Sequence, residues 1–265
     1  GVLVDLAYVE FDETDPTSEL LDHPHVVVTR TFSKAHGLAG LRVGYAAAPA
    51  RLAEWLRTVG GPYPVSGPAL RIAEAALAAA PDELERRVTI VRDERERLTA
   101  LARDLNLLPF ASAANFVTVR TGDPDRAAWI RDGLAGLGIA VRGWTEPPLD
   151  DWLRITCPGQ ARAMTRLTTA LTATLAPIRI LACDQLEVRS LPAGWRHRVT
   201  AASSIPDGDD RPGWLLTRRP EWIEPARQRG LVPVVVASGV DPEPLLRAGA
   251  ARVLACPSEL ETIPA

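Results

Sequence analysis

Short β-branched runs and longer amphipathic stretches alternate along this chain. VLVD (2–5) and HVVVTR (25–30) are bounded by polar or proline-containing segments, the pattern of strands covered on both faces. RVGYAAA (42–48) reads as a third strand. Pro49 then opens an apolar-periodic stretch through Trp55, and the alanine-rich GPALRIAEAALAAA (67–80) has high helical propensity. PDELERRVTIVRDERERLTALARDL (81–105) predicts one long helix, with proline and two acids in its first turn and mixed charges at helical spacing beyond. A helix of that kind often bridges two units.

From Asn115 the alternation changes to strand NFVTVR, helix DRAAWIRDGLAGLG, strand IAVR, strand WLRIT and helix ARAMTRLTTALTATL, a small α/β sandwich. Pro177 breaks the last helix. Beyond it come strand IRILAC, an irregular stretch around SSIPDGDDRPG, then WLLT, EWIEPARQRG, VPVVVAS, PEPLLRAGA and RVLAC, which predict a small parallel-sheet unit. The expected fold class is therefore α/β throughout, divided at 1–80, 81–176 and 177–265.

A chain of 265 residues suits two compact units, or one and a half plus an appendage. The formal net charge of −3, with arginines scattered among acids, offers no stripe for nucleic acid or an anionic membrane, and neither is expected as a partner. Cys157, Cys183 and Cys256 lie far apart with no CxxC spacing, which argues for a reducing compartment, the cytoplasm by default, and against a zinc site. No apolar run reaches membrane-spanning length, and the opening GVLVDLAYVEF lacks the order of a signal peptide.

One residue stands out against this arginine-rich background: Lys34 is the only lysine. Arginine serves equally well for surface charge, but only an amine can lose its proton and attack a carbonyl. Thr31 and Ser33 precede Lys34, Gly37 and Gly40 follow it, and Arg42 lies eight positions on. Hydroxyls, a glycine-bearing turn and an arginine beside a reactive amine suit a phosphate-bearing aldehyde cofactor. Upstream, Asp5 ends a strand, where a carboxylate can keep a pyridine nitrogen protonated, and the Tyr8 phenol can bond a ring oxygen. Taken singly, Asp5 also fits a turn residue and Tyr8 a core aromatic. The combination describes pyridoxal 5'-phosphate.

The segments D-x-A-Y-V-E-F, T-R-T-F-S-K-A-H-G-L-A-G-L-R-V-G-Y and PYPVS, continued by SAANFVTVR, GIAVR and WLRITCPG, resemble the histidinol-phosphate aminotransferase family of fold-type I enzymes as far as about residue 176. The resemblance implies that Lys34 binds the aldehyde of pyridoxal phosphate covalently. It also implies that Asp5 pairs with the ring nitrogen, Tyr8 with the phenolate oxygen, and Thr31, Ser33 and Arg42 with the phosphate. Arg154 then falls to the substrate's carboxylate or phosphate, with Arg142 as a second anion contact and Asn115 as a weaker one. The implied partners are a small-molecule amino donor and a 2-oxo acid, with 2-oxoglutarate and glutamate as the second pair, and the complete enzyme is expected to be a homodimer. Threonine-phosphate decarboxylase and aromatic aminotransferase share these motifs, and a non-catalytic interaction module is the reading from another class.

Two departures qualify the resemblance. Leu6 stands where the family usually has glutamate. The family's amino-terminal arm, its first phosphate loop and its ring-stacking aromatic would all precede Gly1, so the chain is expected to be one piece of a larger polypeptide. Residues 177–265 look faintly like a haloacid-dehalogenase-type core. That chemistry needs a second aspartate two positions after the first and hard oxygen ligands for magnesium, and CDQL has Leu186 at the second position while LLTRRP has arginines. A degenerate or structural appendage is expected. His23 and His25 lack a third ligand for a metal, and His36 beside the lysine needs no proton-shuttling role.

Overall fold

The computed structural model describes all residues except Tyr63, Ala80, Asp184, Gln185, Glu187, 207–210 and Ala265. The tyrosine of PYPVS and the aspartate of CDQL therefore lie outside the described residues. The chain forms two compact units, one of residues 1–96 with 111–116, the other of residues 97–110 with 117–265. Residues on either side of Pro177 share the second unit.

In unit 1, β1 (Val2–Asp5), α1 (Thr17–Leu21), β2 (Val26–Thr31), β3 (Gly44–Ala47), α2 (Ala50–Val59) and α3 (Gly67–Ala79) lead into α4 (Pro81–Asp104). β1 pairs in parallel with β2, Asp5 opposite Thr29, and β3 closes the sheet antiparallel, Gly44 opposite Thr31. The expectation that both early strands are covered on both faces fails for β1. Val2 and Leu3 are 50% and 69% exposed, lining an open hollow rather than meeting a packed layer. Val26 and Val28 in the central strand are buried, as the β-branched pattern requires. The third strand is also shorter than RVGYAAA suggests: Arg42 adopts a left-handed conformation, φ 55°, which delays the strand to Gly44.

In unit 2, β4 (Leu108–Pro109), β5 (Phe116–Arg120, its first residue in unit 1), α5 (Pro124–Gly136), β6 (Arg142–Gly143), β7 (Trp152–Thr156) and α6 (Ala161–Leu175) build a four-stranded sheet in the order β4-β5-β7-β6 with its helices. α5 starts where the sequence signals it, with the Asp123 side chain accepting from the Asp125 amide and Pro124 in the first turn. The predicted strand IAVR pairs only at its end. Gly138 (φ 74°) closes α5 as Gly138 N–H bonds Ala135 O and Ile139 N–H bonds Leu134 O, so residues 138–139 are tied to the helix rather than to β7.

The remainder of unit 2 comprises β8 (Arg179–Cys183), α7 (Ala193–Arg196), β9 (Val199–Ala202), β10 (Gly213–Thr217), α8 (Ile223–Gln228), β11 (Leu231–Val236), α9 (Glu243–Arg247) and β12 (Arg252–Leu254). Its five strands are all parallel, in the order β12-β11-β10-β8-β9. Counted from β9, that is the doubly wound order 2-1-3-4-5. One face lies on α5 and α6: the Trp214 ring meets Trp129 edge-on at 4.9 Å, and the two indole N–H groups bond Ala173 O and Thr174 O. The other face buries Leu181, Leu215 and Leu231 against Ala226 of α8. Such two-sided cover explains the uninterrupted apolar runs LVPVVV and RILAC. Leu186, at the position where the phosphatase chemistry needs a second acid, is buried at 3% exposure.

Candidate active site

The turn after β2 carries the lone lysine. Gly37 N–H bonds Lys34 O and Leu38 N–H bonds Phe32 O, folding the chain back on itself. Gly37 sits at φ 72°, where a side chain would be strained and its Cβ would lie 2.9 Å from Arg87 Nη1. Beneath the turn, Phe32, Leu38 and Leu41 pack on Val43 and on Ala69 and Ala73 of α3. The turn is thus held by a small core while Lys34 itself stays exposed, its Nζ 5.3 Å from the centre of the Tyr8 ring.

Tyr8 is fixed from the other side by an edge-on contact with Phe116 at 5.4 Å. Asn115, the preceding residue, belongs to a loop pinned by Arg95, whose Nη1 donates to Ala114 O and Phe11 O, and by Ser112, whose hydroxyl donates to Phe116 O. Asp5 ends β1, and its Oδ1 accepts from Ala7 N–H, the turn role that its sequence position allows. Its register partner, Thr29, lies two residues before Thr31.

Thr31, Ser33 and Arg42 line one cavity of about 390 Å3, together with Arg30, Gly44 and Tyr45. The Thr31 hydroxyl accepts from Ser33 N–H and donates to Val43 O, and Arg42 Nη1 donates to Ala39 O. Gly44 is required here: a Cβ would stand 2.6 Å from Arg30 O, so only glycine lets β3 close on β2. Two hydroxyls and a guanidinium around one hollow, with Lys34 following Ser33 in the chain, fit the phosphate of an aldehyde cofactor.

Arg30, 14% exposed, joins Glu10 at 2.9 Å and Asp15 at 2.8 Å, tying the turn after β1 to β2. Hydrogen bonding from Thr17 and Arg30 holds the Asp15 carboxyl below its ordinary range despite the opposing effect of burial. Both Glu10 and Arg30 lie inside the motifs quoted above, but nothing local marks them as a pair. His36 is pushed down mainly by burial, with Arg30 and Arg87 adding to the shift and Glu10 opposing it.

Arg142 and Arg154 belong to unit 2, where they are directly opposite each other in the β6–β7 pair. Leu153 and Ile155 are buried at 0% and 1%, while Arg154 shares the other face with Trp152 and Thr156. Trp152 stacks on Phe110 at 4.6 Å, and Arg142 lies 5.6 Å from the Trp144 ring centre. Among the described residues, no three potential metal-binding side chains come together, and no helix is long and apolar enough to cross a membrane.

The lysine turn, the mixed sheet and the α/β layers that follow them have counterparts among known proteins: the chain belongs to the aminotransferase class I and II family, whose family model matches residues 1–171. It is 42% identical over 158 residues to the histidinol-phosphate aminotransferase of Roseiflexus castenholzii, a match covering 57% of this chain and 42% of that protein. It is 41% identical over 152 residues to the aromatic amino acid aminotransferase of Cutibacterium acnes, covering 55% and 42%. Among solved structures, the histidinol-phosphate aminotransferase of Sinorhizobium meliloti in complex with pyridoxal-5'-phosphate is similar with a TM-score of 0.58 and 33% identity, over 65% of this chain and 48% of that one. The chain spans about half the length of the curated relatives it matches.

Proposed function

We propose that this chain is the lysine-bearing part of a pyridoxal-phosphate-dependent aminotransferase of the histidinol-phosphate type, passing an amino group between a phosphorylated amine or amino acid and 2-oxoglutarate. The observation that carries the reading is the meeting of Thr31, Ser33 and Arg42 around one cavity, with the only lysine next to Ser33 in the chain. When bound, the cofactor supplies an aldehyde carbon that captures amines and a ring that accepts the electron pair of a deprotonated α-carbon. Thr31, Ser33 and Arg42 would hold its phosphate, Asp5 its ring nitrogen and Tyr8 its ring oxygen. Lys34 Nζ would serve as the base that takes a proton from the substrate α-carbon and later gives it back. Arg154 and Arg142 would read the substrate's anionic group. Like charges directly opposite on a strand pair are destabilising, and an anion bound between them offsets that cost. Homodimerisation of the complete enzyme is part of the same proposal.

Borohydride treatment of the chain with pyridoxal phosphate, followed by peptide mapping, tests the assignment. A pyridoxyl label on Lys34 is expected, and none on Lys34→Arg, which keeps its charge and fold but cannot form the bond. A label on another nucleophile would refute the site. A second reading, aromatic amino acid transamination, is supported by the near-equal identity to the Cutibacterium enzyme. In the complete enzyme, Arg154→Lys should cut the use of histidinol phosphate and glutamate roughly ten- to a hundred-fold, since a charge-assisted hydrogen bond contributes about 1.5–3 kcal/mol. Preferential turnover of phenylalanine would favour the second reading.

A further inference from the structure

Unit 2 holds a larger cavity, of about 650 Å3, that the proposed chemistry does not use. It exists because the cap of α5 draws residues 138–139 away from β7, so that the strand ladder begins only at Arg142. Into the gap face Ile139, Val141, Ile155 and Leu167, which give it an apolar interior. Ile155 alternates with Arg154 along β7, so this interior lies on the face of the sheet opposite Arg154.

Among the described residues, two cations and no acid line the cavity. Arg162 and Arg166 are one helical turn apart on α6 and point to the same side. Arg166 is engaged, its Nη2 donating to Leu137 O at 2.6 Å. Arg162 is exposed and, among the described residues, takes part in no hydrogen bond or ion pair. Like charges at this spacing repel, so an anion on Arg162 relieves its repulsion with Arg166. A volume of this size, mostly apolar with a few convergent polar groups, is characteristic of small-molecule sites.

We propose that this cavity binds a small carboxylate with an apolar body, the body against Ile139, Val141, Ile155 and Leu167 and the carboxylate on the Arg162 guanidinium. A single uncommitted guanidinium matches a monoanion, whereas a phosphate monoester carries close to two charges at neutral pH. The site shares no residue with the lysine turn and does not depend on the aminotransferase reading.

Ligand-observed NMR and calorimetry with 3-phenylpropionate on the full 265-residue chain test it, with 3-phenylpropanamide as the uncharged equivalent. Saturable binding is expected, at least tenfold weaker for the amide and at least tenfold weaker in Arg162→Ala, an exposed substitution whose fold is checked by circular dichroism. Lys34→Ala should bind like the parent. No saturable binding, equal affinity for the amide, or an unchanged Arg162→Ala would overturn the proposal. Loss of binding in Lys34→Ala would move the ligand to the candidate active site and overturn it equally.

Discussion

Apolar residues are plentiful in both units, yet their fates differ. In unit 2, Trp129, Trp214, Leu153 and Val234 are wholly buried, whereas in unit 1 Trp55 and Val59 of α2 are 52% and 80% exposed. The difference lies in layering. The five-stranded sheet of unit 2 has helices on both faces, so each apolar run finds a partner whichever way its side chains point. Unit 1 has a three-stranded sheet, and the apolar stripe of α2 meets the β1–β2 face only across an open hollow of about 630 Å3 lined by Leu3, Val27, Leu52 and Trp55. Burial is therefore a property of what the other layers supply, not of the sequence pattern alone. The candidate cofactor residues sit on the thinly covered unit, and most of the well-packed core belongs to the other.

The largest effect is expected where the five-stranded sheet of unit 2 meets α5 and α6. Trp214→Ala deletes the edge-on contact with Trp129 and the bond to Ala173 O. The expected loss is about 3–5 kcal/mol, read as a lower urea midpoint with unchanged slope. A midpoint within error of the parent would show that residues 178–265 are not anchored on α5 and α6.

A smaller effect, confined to unit 1, comes from His36. Burial lowers its proton affinity below the ordinary value of 6.5. The unfolded chain consequently takes up the proton first as pH falls, and folding is disfavoured. Stability from His36 is fully present above about pH 6.5 and declines as pH falls through the lower folded-state value. NMR titration should place the His36 midpoint below the ordinary value of 6.5, and His36→Gln should flatten the stability–pH curve in this window. A His36 midpoint at or above 6.5 would contradict the burial argument.

The smallest effect is expected at Val59. Val59→Ser changes a side chain that is already in water, so the urea midpoint should correspond to a change within about 0.5 kcal/mol. A loss above 1 kcal/mol would mean that α2 is covered in solution and that the contrast between the units is overstated.

Where information was local, the sequence could be read. The lysine turn, with its hydroxyls before and glycines after, is a contiguous segment whose hydrogen bonds close within a few residues. Strand Trp152–Thr156 and helices α4, α5 and α6 likewise carry their own periodicity and start signals. What escaped depends on distant partners. Arg30 meets Glu10 and Asp15 across 20 and 15 positions, and no periodicity links them. β9 is VTAA, unremarkable as a string, and is a strand because it pairs with β8. IAVR has strand composition but lost most of its ladder to the cap of α5.

The α/β alternation, the ends of the longer helices and the chemistry of the candidate site side chains were legible in the residues and their near neighbours, where propensity, caps and functional groups reside. Which apolar runs are buried, that Thr31, Ser33 and Arg42 share one hollow, and that the stretch after Pro177 packs on α5 and α6 came from the folded layers. Each of these is a contact between segments far apart in the chain, and its energy is settled when the layers meet.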